Sequence, residues 1–412
     1  MERTLDVHIS WQDETLPIGR LWARAKGSRE TSSFEYTDGW RGHPAAFALD
    51  PQLPLNAGTF HAEGMFNAFT DPAPDRWGRT LLLRRERKRA KAEGRIARTL
   101  LDVDFLTLVE DDNRLGALRF TEAGSDEFLA HTDRAIPPLI KLSGLLSATE
   151  RILADKESDE DLRLVLAPGA SLGGARPKAA IIDNDGMLAI AKFPSPDDDW
   201  PVPRWEMVAM TLARAAGIDV PDFRLLEIQK RPVFIMQRFD RDHDGQRIPF
   251  ISALTALSAR DGEGRSYLEL LDLLRTDGVI PERDARQLWR RMAFNILISN
   301  TDDHLRNHGY LRQEGGWILS PAYDLNPMPV DVKPRHHALT LDEDDDASSI
   351  DTAFSVAGQF GLDQDEARKV AAEVGAAVLA WRDAAAQAGL SGAQIERMES
   401  AFVHEDLAKV TA

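Results

Sequence analysis

Apolar and polar residues alternate in short stretches near the start of the chain and then give way to a helical period. Residues 5–9 and 34–36 alternate with a period of two, which is typical of half-buried strands. A helical pattern begins at Pro74 and runs into a basic segment at 84–89. This mixture predicts an N-terminal α/β subdomain over residues 1–125.

A strand-rich region follows an amphipathic helical stretch at 137–166. Apolar runs at 179–182 and 187–193 flank an Asp-Gly turn, and this arrangement is a strong hairpin signal. Two further strand patterns come next, and the character of the chain changes where they end. We therefore predict a second domain, a small β-rich lobe, over residues 126–245.

The last part of the chain is mainly helical. Helical patterns occupy about 266–275 and 283–298 and continue from 351 to the end, while strand patterns within 310–319 flank a Glu-Gly-Gly turn. These patterns predict a helical C-terminal lobe over residues 246–412. The whole chain is predicted to belong to the mixed α/β (α+β) class, with two lobes after the N-terminal subdomain.

Composition narrows the classes of function. The chain has 412 residues, of which 43% are hydrophobic and 28% charged, with a formal net charge of -17 and no cysteine. The negative charge disfavours direct binding to nucleic acid. The absence of cysteine removes disulfides and thiolate chemistry, and it fits a cytoplasmic setting. No run of 18 apolar residues occurs, so we expect no membrane span.

Two charge runs offer binding chemistry of their own. The basic segment at 84–89 is suited to nucleic acid or an acidic partner, and the acidic segment at 341–346 is suited to a cation. Charge runs usually form solvated faces, and the acidic spacing matches no EF-hand. We therefore interpret both runs as solvated surface.

The strongest chemical signal is a set of polar residues near the C-terminal hairpin. Asp302, His304 and Asn307 lie in one predicted loop, and Asp324 lies in a second loop after the hairpin. The hairpin folds the chain back and so allows Asp324 to lie beside Asn307. Phosphoryl transfer to a hydroxyl needs one carboxylate to orient the nucleophile and an Asn with an Asp to hold Mg²⁺. Water and phosphate oxygens complete the magnesium shell.

A glycine-rich segment supplies a candidate nucleotide site. Residues 168–178 contain three glycines and lead into the first strand of the predicted hairpin, and Lys192 ends the second strand. Backbone N–H groups of such a loop can approach phosphates. Lys192 is either a surface lysine or a ligand of ATP phosphates, with Glu206 as one possible partner. The Walker A pattern and the usual protein-kinase signatures are absent.

Four motifs taken together resemble the HipA toxins, which are serine/threonine kinases of bacterial type II toxin–antitoxin systems. SLGGARPK at 171–178 resembles the family's S-x-[GA]-G-A-x-x-K loop, and NTDDHLRN at 300–307 resembles its T-D-x-H-x-[KR]-N catalytic loop. SPAYD at 320–324 resembles the P-x-Y-D metal motif, and RFDR at 238–241 matches the segment after the hinge. The resemblance implies a two-lobed, protein-kinase-like fold with an additional N-terminal subdomain.

The resemblance also implies residue roles by matching position. It makes Asp302 the catalytic aspartate, places His304 in the catalytic loop, and assigns Mg²⁺ to Asn307 and Asp324. The residues that it assigns to ATP are Ser171, Gly173, Gly174, Lys178, Lys192, Gln237 and Phe239.

Regulation and partners follow from the resemblance too. Ser171 matches the serine that family members autophosphorylate, and a phosphate there would be repelled by the phosphates of ATP. The implied substrate is an aminoacyl-tRNA synthetase, notably glutamyl-tRNA synthetase. The implied partner is a HipB-like helix-turn-helix antitoxin, through which any contact with DNA is indirect. A negative surface suits a basic antitoxin.

Two other functions remain open at this point. One is a catalytically weak, nucleotide-binding regulatory module that acts with the antitoxin, because the family commonly has an acid where this chain has Gln237. The other is a metal-dependent hydrolase, which leaves the glycine-rich segment and Lys192 unexplained. Its ligands would be Asp302, Asp303, His304 and Asp324.

Two choices within the loop are also open. Motif register alone assigns the catalytic role to Asp302 rather than Asp303. His304 either packs the loop or takes part in proton transfer. Three further histidines have no spacing typical of a zinc site. They are His308, His336 and His337.

Overall fold

The computed structural model of the chain describes residues 2–27, 29–130, 136–166, 174–342, 347 and 349–411. The chain divides into two units. The first comprises Met1–Pro196 and Gln237–Ile251, and the second comprises Asp197–Met236 and Ser252–Ala412. Both units contain helices and strands, so the predicted mixed α/β class is confirmed. The domain boundaries at 125/126 and 245/246 stay predictions.

The alternating residues at the N-terminus form a strand of an antiparallel sheet in the first unit. Leu5, Val7 and Ile9 are buried, as the period of two predicts. Five strands lie in the order β4-β3-β2-β1-β5. Their bounds are β1 Glu2–Trp11, β2 Glu14–Lys26, β3 Arg29–Tyr36, β4 Thr59–Glu63 and β5 Leu118–Glu122.

Helices and a hairpin complete the first unit. The longest helix starts after Asp75, whose side chain caps it by accepting a 2.8 Å hydrogen bond from the Gly78 amide. The predicted hairpin is present, with its Asp-Gly turn at Gly186 in the left-handed region, φ +83. The bounds are α1 Asp38–Arg41, α2 Asn67–Thr70, α3 Arg76–Ala92, α4 Asp102–Leu108, α5 Leu142–Leu153, α6 Asp159–Leu166, β6 Lys178–Ile182 and β7 Leu188–Lys192.

The basic segment on α3 forms ion pairs within the first unit. Arg84 Nη1 lies 2.6 Å from Asp155 Oδ1, and Lys88 Nζ lies 3.4 Å from Glu157 Oε1. These pairs tie α3 to the end of α5 and the segment after it. The contacts explain the basic run without a nucleic-acid partner.

A fully buried carboxylate, that of Asp240, joins two loops of the first unit. Arg238 donates to Asp240 through Nε at 2.7 Å, Arg241 donates at 2.6 Å, and the Gly116 amide donates at 2.8 Å. Burial by itself raises the pKa of Asp240, but the two guanidinium groups hold that pKa below its usual value. Arg238 also donates to the carbonyl of Asn113, so the network fastens segment 113–116 to segment 238–241.

Helices dominate the second unit, and helix α10, Pro281–Leu297, lies at its centre. Trp289 on α10 is buried and donates a 2.9 Å hydrogen bond to the carbonyl of Ala353. Further along the chain, the Trp381 and Phe402 rings stack with centroids 4.6 Å apart. The described elements from Ile350 onward are all helices. Asp363 and Glu366 form a capping box at the start of α12, Gln364–Leu379.

The second unit also contains two hairpins. The bounds are α7 Val202–Ala215, β8 Phe223–Ile228, β9 Arg231–Gln237, β10 Phe250–Ser252, α8 Ala253–Ala256, β11 Arg265–Ser266, α9 Tyr267–Asp277, α10 Pro281–Leu297, β12 Gly309–Gln313, β13 Gly316–Leu319, β14 Leu339–Thr340, α11 Ile350–Val356, α12 Gln364–Leu379, α13 Trp381–Gln387, α14 Gly392–Arg397, α15 Glu399–Phe402 and α16 Glu405–Thr411. Strands β9 and β10 each contain residues of both units. Among the described residues, no helix combines the length and the apolar character that crossing a membrane requires.

Asp240→Asn is expected to lower the free energy of unfolding by about 3 to 5 kcal/mol, because it leaves buried guanidinium groups without their counter-charge. Urea denaturation measures the change. Glu2→Gln is the control, since the Glu2–Arg24 pair is exposed and such a pair contributes at most about 1 kcal/mol. Similar losses in the two variants would contradict this account.

Acid is expected to destabilise the second unit through His404. Its side chain is 8% exposed, its Nε2 lies 3.1 Å from the Leu297 carbonyl, and burial lowers its pKa to about 4. The unfolded side chain has a pKa near 6.5, so the stabilisation is complete above pH 6.5 and is lost as the pH falls towards 4. The expected loss at pH 5 is on the order of 2 kcal/mol.

The test compares urea unfolding of the wild type and His404→Gln from pH 7 to pH 4.5. Glutamine can also donate to the Leu297 carbonyl but does not titrate, so its stability should fall less steeply over this range. Parallel pH curves for the two proteins would exclude His404 as the source.

Candidate functional site

The predicted catalytic loop lies between the end of α10 and the β12–β13 hairpin. Ser299 leaves the helix with φ +52, and its hydroxyl donates a 2.9 Å hydrogen bond to the carbonyl of Ala401. A 3-10 turn at Leu305–Asn307 leads into β12. The Tyr323 hydroxyl then donates a 2.8 Å hydrogen bond to the Arg306 carbonyl. The segments that carry Asn307 and Asp324 are therefore joined, as the hairpin predicts.

Asp303 anchors this loop from within the core. Its carboxylate is 2% exposed, accepts a hydrogen bond from the Tyr267 hydroxyl and lies 3.0 Å from His308 Nε2. The Tyr267 hydroxyl in turn accepts a 3.1 Å hydrogen bond from Asn295. Burial raises the pKa of Asp303 by itself, but His308 and Tyr267 reverse the effect and leave the pKa below its usual value.

Asp302 differs from its neighbour Asp303 in how far its side chain is exposed to solvent. Its side chain is 67% exposed, whereas that of Asp303 is held inside the protein. The Asp302 backbone carbonyl accepts a 3.0 Å hydrogen bond from the Asn307 side chain. This bond fixes the loop backbone while the carboxylate of Asp302 stays accessible to a ligand.

The side-chain oxygen of Asn307 is available to a cation. Its Nδ2 is used on Asp302, but its Oδ1 is buried and has no hydrogen-bond partner among the described residues. A buried acceptor without a donor costs free energy, and a hard cation such as Mg²⁺ would satisfy it.

Asp324 lies in the left-handed region of the backbone. Its φ is +58, which few non-glycine residues adopt but which aspartate adopts more often than most. Asn326 Nδ2 lies 3.4 Å from Asp324 Oδ1. In the described part of the chain, no three His, Asp or Glu side chains converge as metal ligands. An amide oxygen such as that of Asn307 and a carboxylate such as that of Asp324 are ligand types that Mg²⁺ accepts, and Mg²⁺ needs few protein ligands.

Two histidines near this loop are buried to different degrees. His304 is half-buried, and its Nδ1 has no hydrogen-bond partner among the described residues. His337 is buried, and burial lowers its pKa to about 4. His337 is thus neutral at physiological pH.

In the first unit, the two predicted nucleotide lysines lie opposite each other on neighbouring strands. Lys178 and Lys192 are register partners in the β6–β7 hairpin, and both are buried. Lys178 Nζ lies 2.8 Å from Asp75 Oδ2, so its charge is neutralised within the protein. The Trp77 indole donates a 3.1 Å hydrogen bond to the Lys178 carbonyl. Buried lysines need such compensation.

The remaining predicted nucleotide residues are placed as follows. Ser171 and Gly173 lie outside the described residues, and Gly174 has φ +92. Gln237 is half-buried at the end of β9, and the Phe239 ring centroid lies 6.1 Å from that of Phe250.

Sequence reasoning missed the residues that hold the site in place. Tyr267 and Asp75 contact Asp303 and Lys178 from distant parts of the chain, and no spacing rule connects them. In the sequence, Asp75 is recognisable only as a residue that can cap a helix. Tyr267 is recognisable only as an apolar position within a helix.

Two family models match the chain. One describes a HipA N-terminal domain and matches residues 8–101, and the other describes a HipA-like C-terminal domain and matches residues 170–381. The fold is that of HipA: the structure of *Shewanella oneidensis* HipA, solved with HipB and operator DNA, superposes with a TM-score of 0.67 at 17% identity and covers 99% of this chain and 96% of that one. The chain belongs to the HipA family, as its motifs predict.

Curated relatives are similar over part of their length. A protein named "Putative kinase Y4mE" from *Sinorhizobium fredii* is 28% identical over 38% of this chain and 41% of its own. "Toxin YjjJ" from *Escherichia coli* is 26% identical over 47% of this chain and 44% of its own. The matched region thus spans less than half of these two relatives.

Tyr267→Phe is expected to destabilise the protein by about 2 to 3 kcal/mol, because the buried charge of Asp303 loses a donor. Tyr310→Phe is a matched control. Tyr310 is equally buried, but its hydroxyl donates to the neutral carbonyl of Leu270, so the expected loss is about 1 kcal/mol. Urea unfolding of both variants measures the difference, and equal losses would count against a charged Asp303.

Proposed function

We propose that this protein is an ATP- and Mg²⁺-dependent serine/threonine protein kinase that acts as the toxin of a HipBA-type toxin–antitoxin system. The observation that carries the proposal is the contrast between two adjacent carboxylates. Asp303 is buried and paired, which leaves Asp302 exposed beside Asn307, whose buried Oδ1 lacks a partner among the described residues. This is the arrangement that phosphoryl transfer to a hydroxyl requires.

Each residue has a role in this proposal. Asp302 orients the acceptor hydroxyl and takes its proton late in the reaction. Asn307 and Asp324 hold Mg²⁺, which neutralises charge on the transferred phosphoryl group when bound. Lys192 contacts the ATP phosphates, and Gln237 and Phe239 contact the adenine.

The glycine-rich segment adds regulation. We propose that Ser171 is autophosphorylated and that the added charge, about -2, drives the segment away from bound ATP. In the sequence, Gly174 and Lys178 follow Ser171 and lead into β6.

The proposed partners follow from membership of the HipA family. The substrate is an aminoacyl-tRNA synthetase, with glutamyl-tRNA synthetase as the first candidate. The antitoxin is a HipB-like helix-turn-helix protein, through which the toxin reaches DNA. The formal net charge of -17 supports a basic partner rather than direct contact with phosphates.

The alternative is a regulatory module that binds ATP and the antitoxin but transfers little or no phosphate. Gln237 favours it, since the family commonly has an acid there. This alternative predicts nucleotide binding without phosphate transfer.

Incubation with Mg·ATP is expected to add a phosphate to Ser171, detected by intact mass and phosphosite mapping. Asp302→Asn should reduce the rate at least about 100-fold, because the acceptor hydroxyl loses its orienting carboxylate. Asp351→Asn is the control, since Asp351 is 66% exposed and its carboxylate pairs with Lys409 at 2.6 Å. Nucleotide binding without transfer to the protein or to any synthetase would establish the regulatory alternative instead.

A further inference from the structure

Lys333 places a positive charge beside the exposed carboxylate of Asp302. Its Nζ lies 3.9 Å from Asp302 Oδ1 and donates a 2.9 Å hydrogen bond to the backbone carbonyl of Thr301. The Lys333 side chain is 41% exposed and that of Asp302 is 67% exposed. Both groups are therefore accessible from solvent.

The fold has another anchor for the segment that carries Lys333. Arg335 Nη1 lies 2.7 Å from the buried carboxylate of Asp406, and Arg335 Nη2 donates a 3.0 Å hydrogen bond to the Ile296 carbonyl. By contrast, an exposed pair such as Lys333–Asp302 contributes at most about 1 kcal/mol to stability. Stability alone thus gives a weak reason for an ammonium group at this position.

The hydrogen-bonding capacity of Lys333 gives a stronger reason for an ammonium group at this position. An ammonium group has three N–H donors, and the Thr301 carbonyl uses one of them. A hydroxyl bound to Asp302 would lie about 2.7 Å from the carboxylate, with the phosphorus that it attacks about 3 Å further on. A flexible lysine that already lies near the same carboxylate oxygen can reach an oxygen of that phosphoryl group.

We propose that Lys333 is a catalytic residue that binds a non-bridging oxygen of the transferred γ-phosphoryl group; this inference rests on the proposed kinase activity. The acceptor hydroxyl oxygen forms a bond to the γ-phosphorus, and the bond from that phosphorus to the bridging oxygen breaks. ADP keeps the electron pair of the broken bond, and the hydroxyl proton passes to Asp302. Lys333 keeps its protons and stabilises the charge on the phosphoryl oxygens.

A pair of variants separates this role from a structural one. Lys333→Gln keeps a donor for the Thr301 carbonyl but removes the charge, and Lys333→Met removes both. The rate at which the full chain phosphorylates itself with Mg·ATP, followed by intact mass over this single turnover and across ATP concentrations, gives a maximal rate constant, kcat, and a half-saturating ATP concentration, KM. We expect both variants to lose about 10- to 100-fold in kcat with KM for ATP within about threefold of the wild type.

Lys409→Met is the control, because Lys409 also pairs with an exposed aspartate, Asp351 at 2.6 Å, but lies on α16. It should keep the wild-type kcat. A Lys333→Gln variant that keeps wild-type kcat while Lys333→Met loses it would overturn the proposal, since it would show that the residue only holds the loop. Thermal unfolding checks both variants, and if Lys333→Met is unfolded, an intact Lys333→Gln decides alone.

Failure of the proposed function gives a different result. If the wild type phosphorylates itself no faster than Asp302→Asn, the kinase proposal fails and this inference fails with it. If the wild type is active and both Lys333 variants match it, only the role of Lys333 is overturned.

Discussion

The burial of one negative charge, that of Asp303, is the constraint on which the predicted catalytic loop depends. A carboxylate in the core is tolerated only when polar groups compensate it, and here the Tyr267 hydroxyl donates to it and His308 Nε2 lies 3.0 Å away. The neighbouring residue on the chain is then directed outward, so Asp302 is exposed. Two aspartates that look equivalent in sequence thus have opposite environments, which favours Asp302 as the residue that meets a substrate.

The same physical rule operates in the first unit, where Asp240 is buried among arginines. There the carboxylate joins segment 113–116 to the RFDR segment at 238–241. Replacing either buried carboxylate by an uncharged group leaves its cationic or polar partners without compensation. The RFDR motif is therefore explained by structure: two of its residues pair with the third, and they hold the loops at that end of the unit together.

Much of the architecture was predictable because it depends on local patterns. Period-two alternation located β1, and the Asp-Gly turn located the β6–β7 hairpin. The helical pattern that begins at Pro74 located α3, and the pattern from 351 onward located the C-terminal helices. The helical pattern from 351 onward did not show where one helix ends and the next begins: α12 ends at Leu379 and α13 begins at Trp381. No proline or glycine marks that break, and the Trp381 ring beside it stacks on that of Phe402, far along the chain.

The sequence by itself determined the element types, the HipA family and the set of polar residues around Asp302 and Asn307, because motif spacing and periodicity are local properties. Only the tertiary structure decided which of the two aspartates is buried, which lysine of the β6–β7 pair is neutralised by Asp75, and that Lys333 lies near Asp302. Each of these depends on contacts between residues far apart in the chain. Burial and charge compensation select such contacts, and neither quantity can be read from the order of residues.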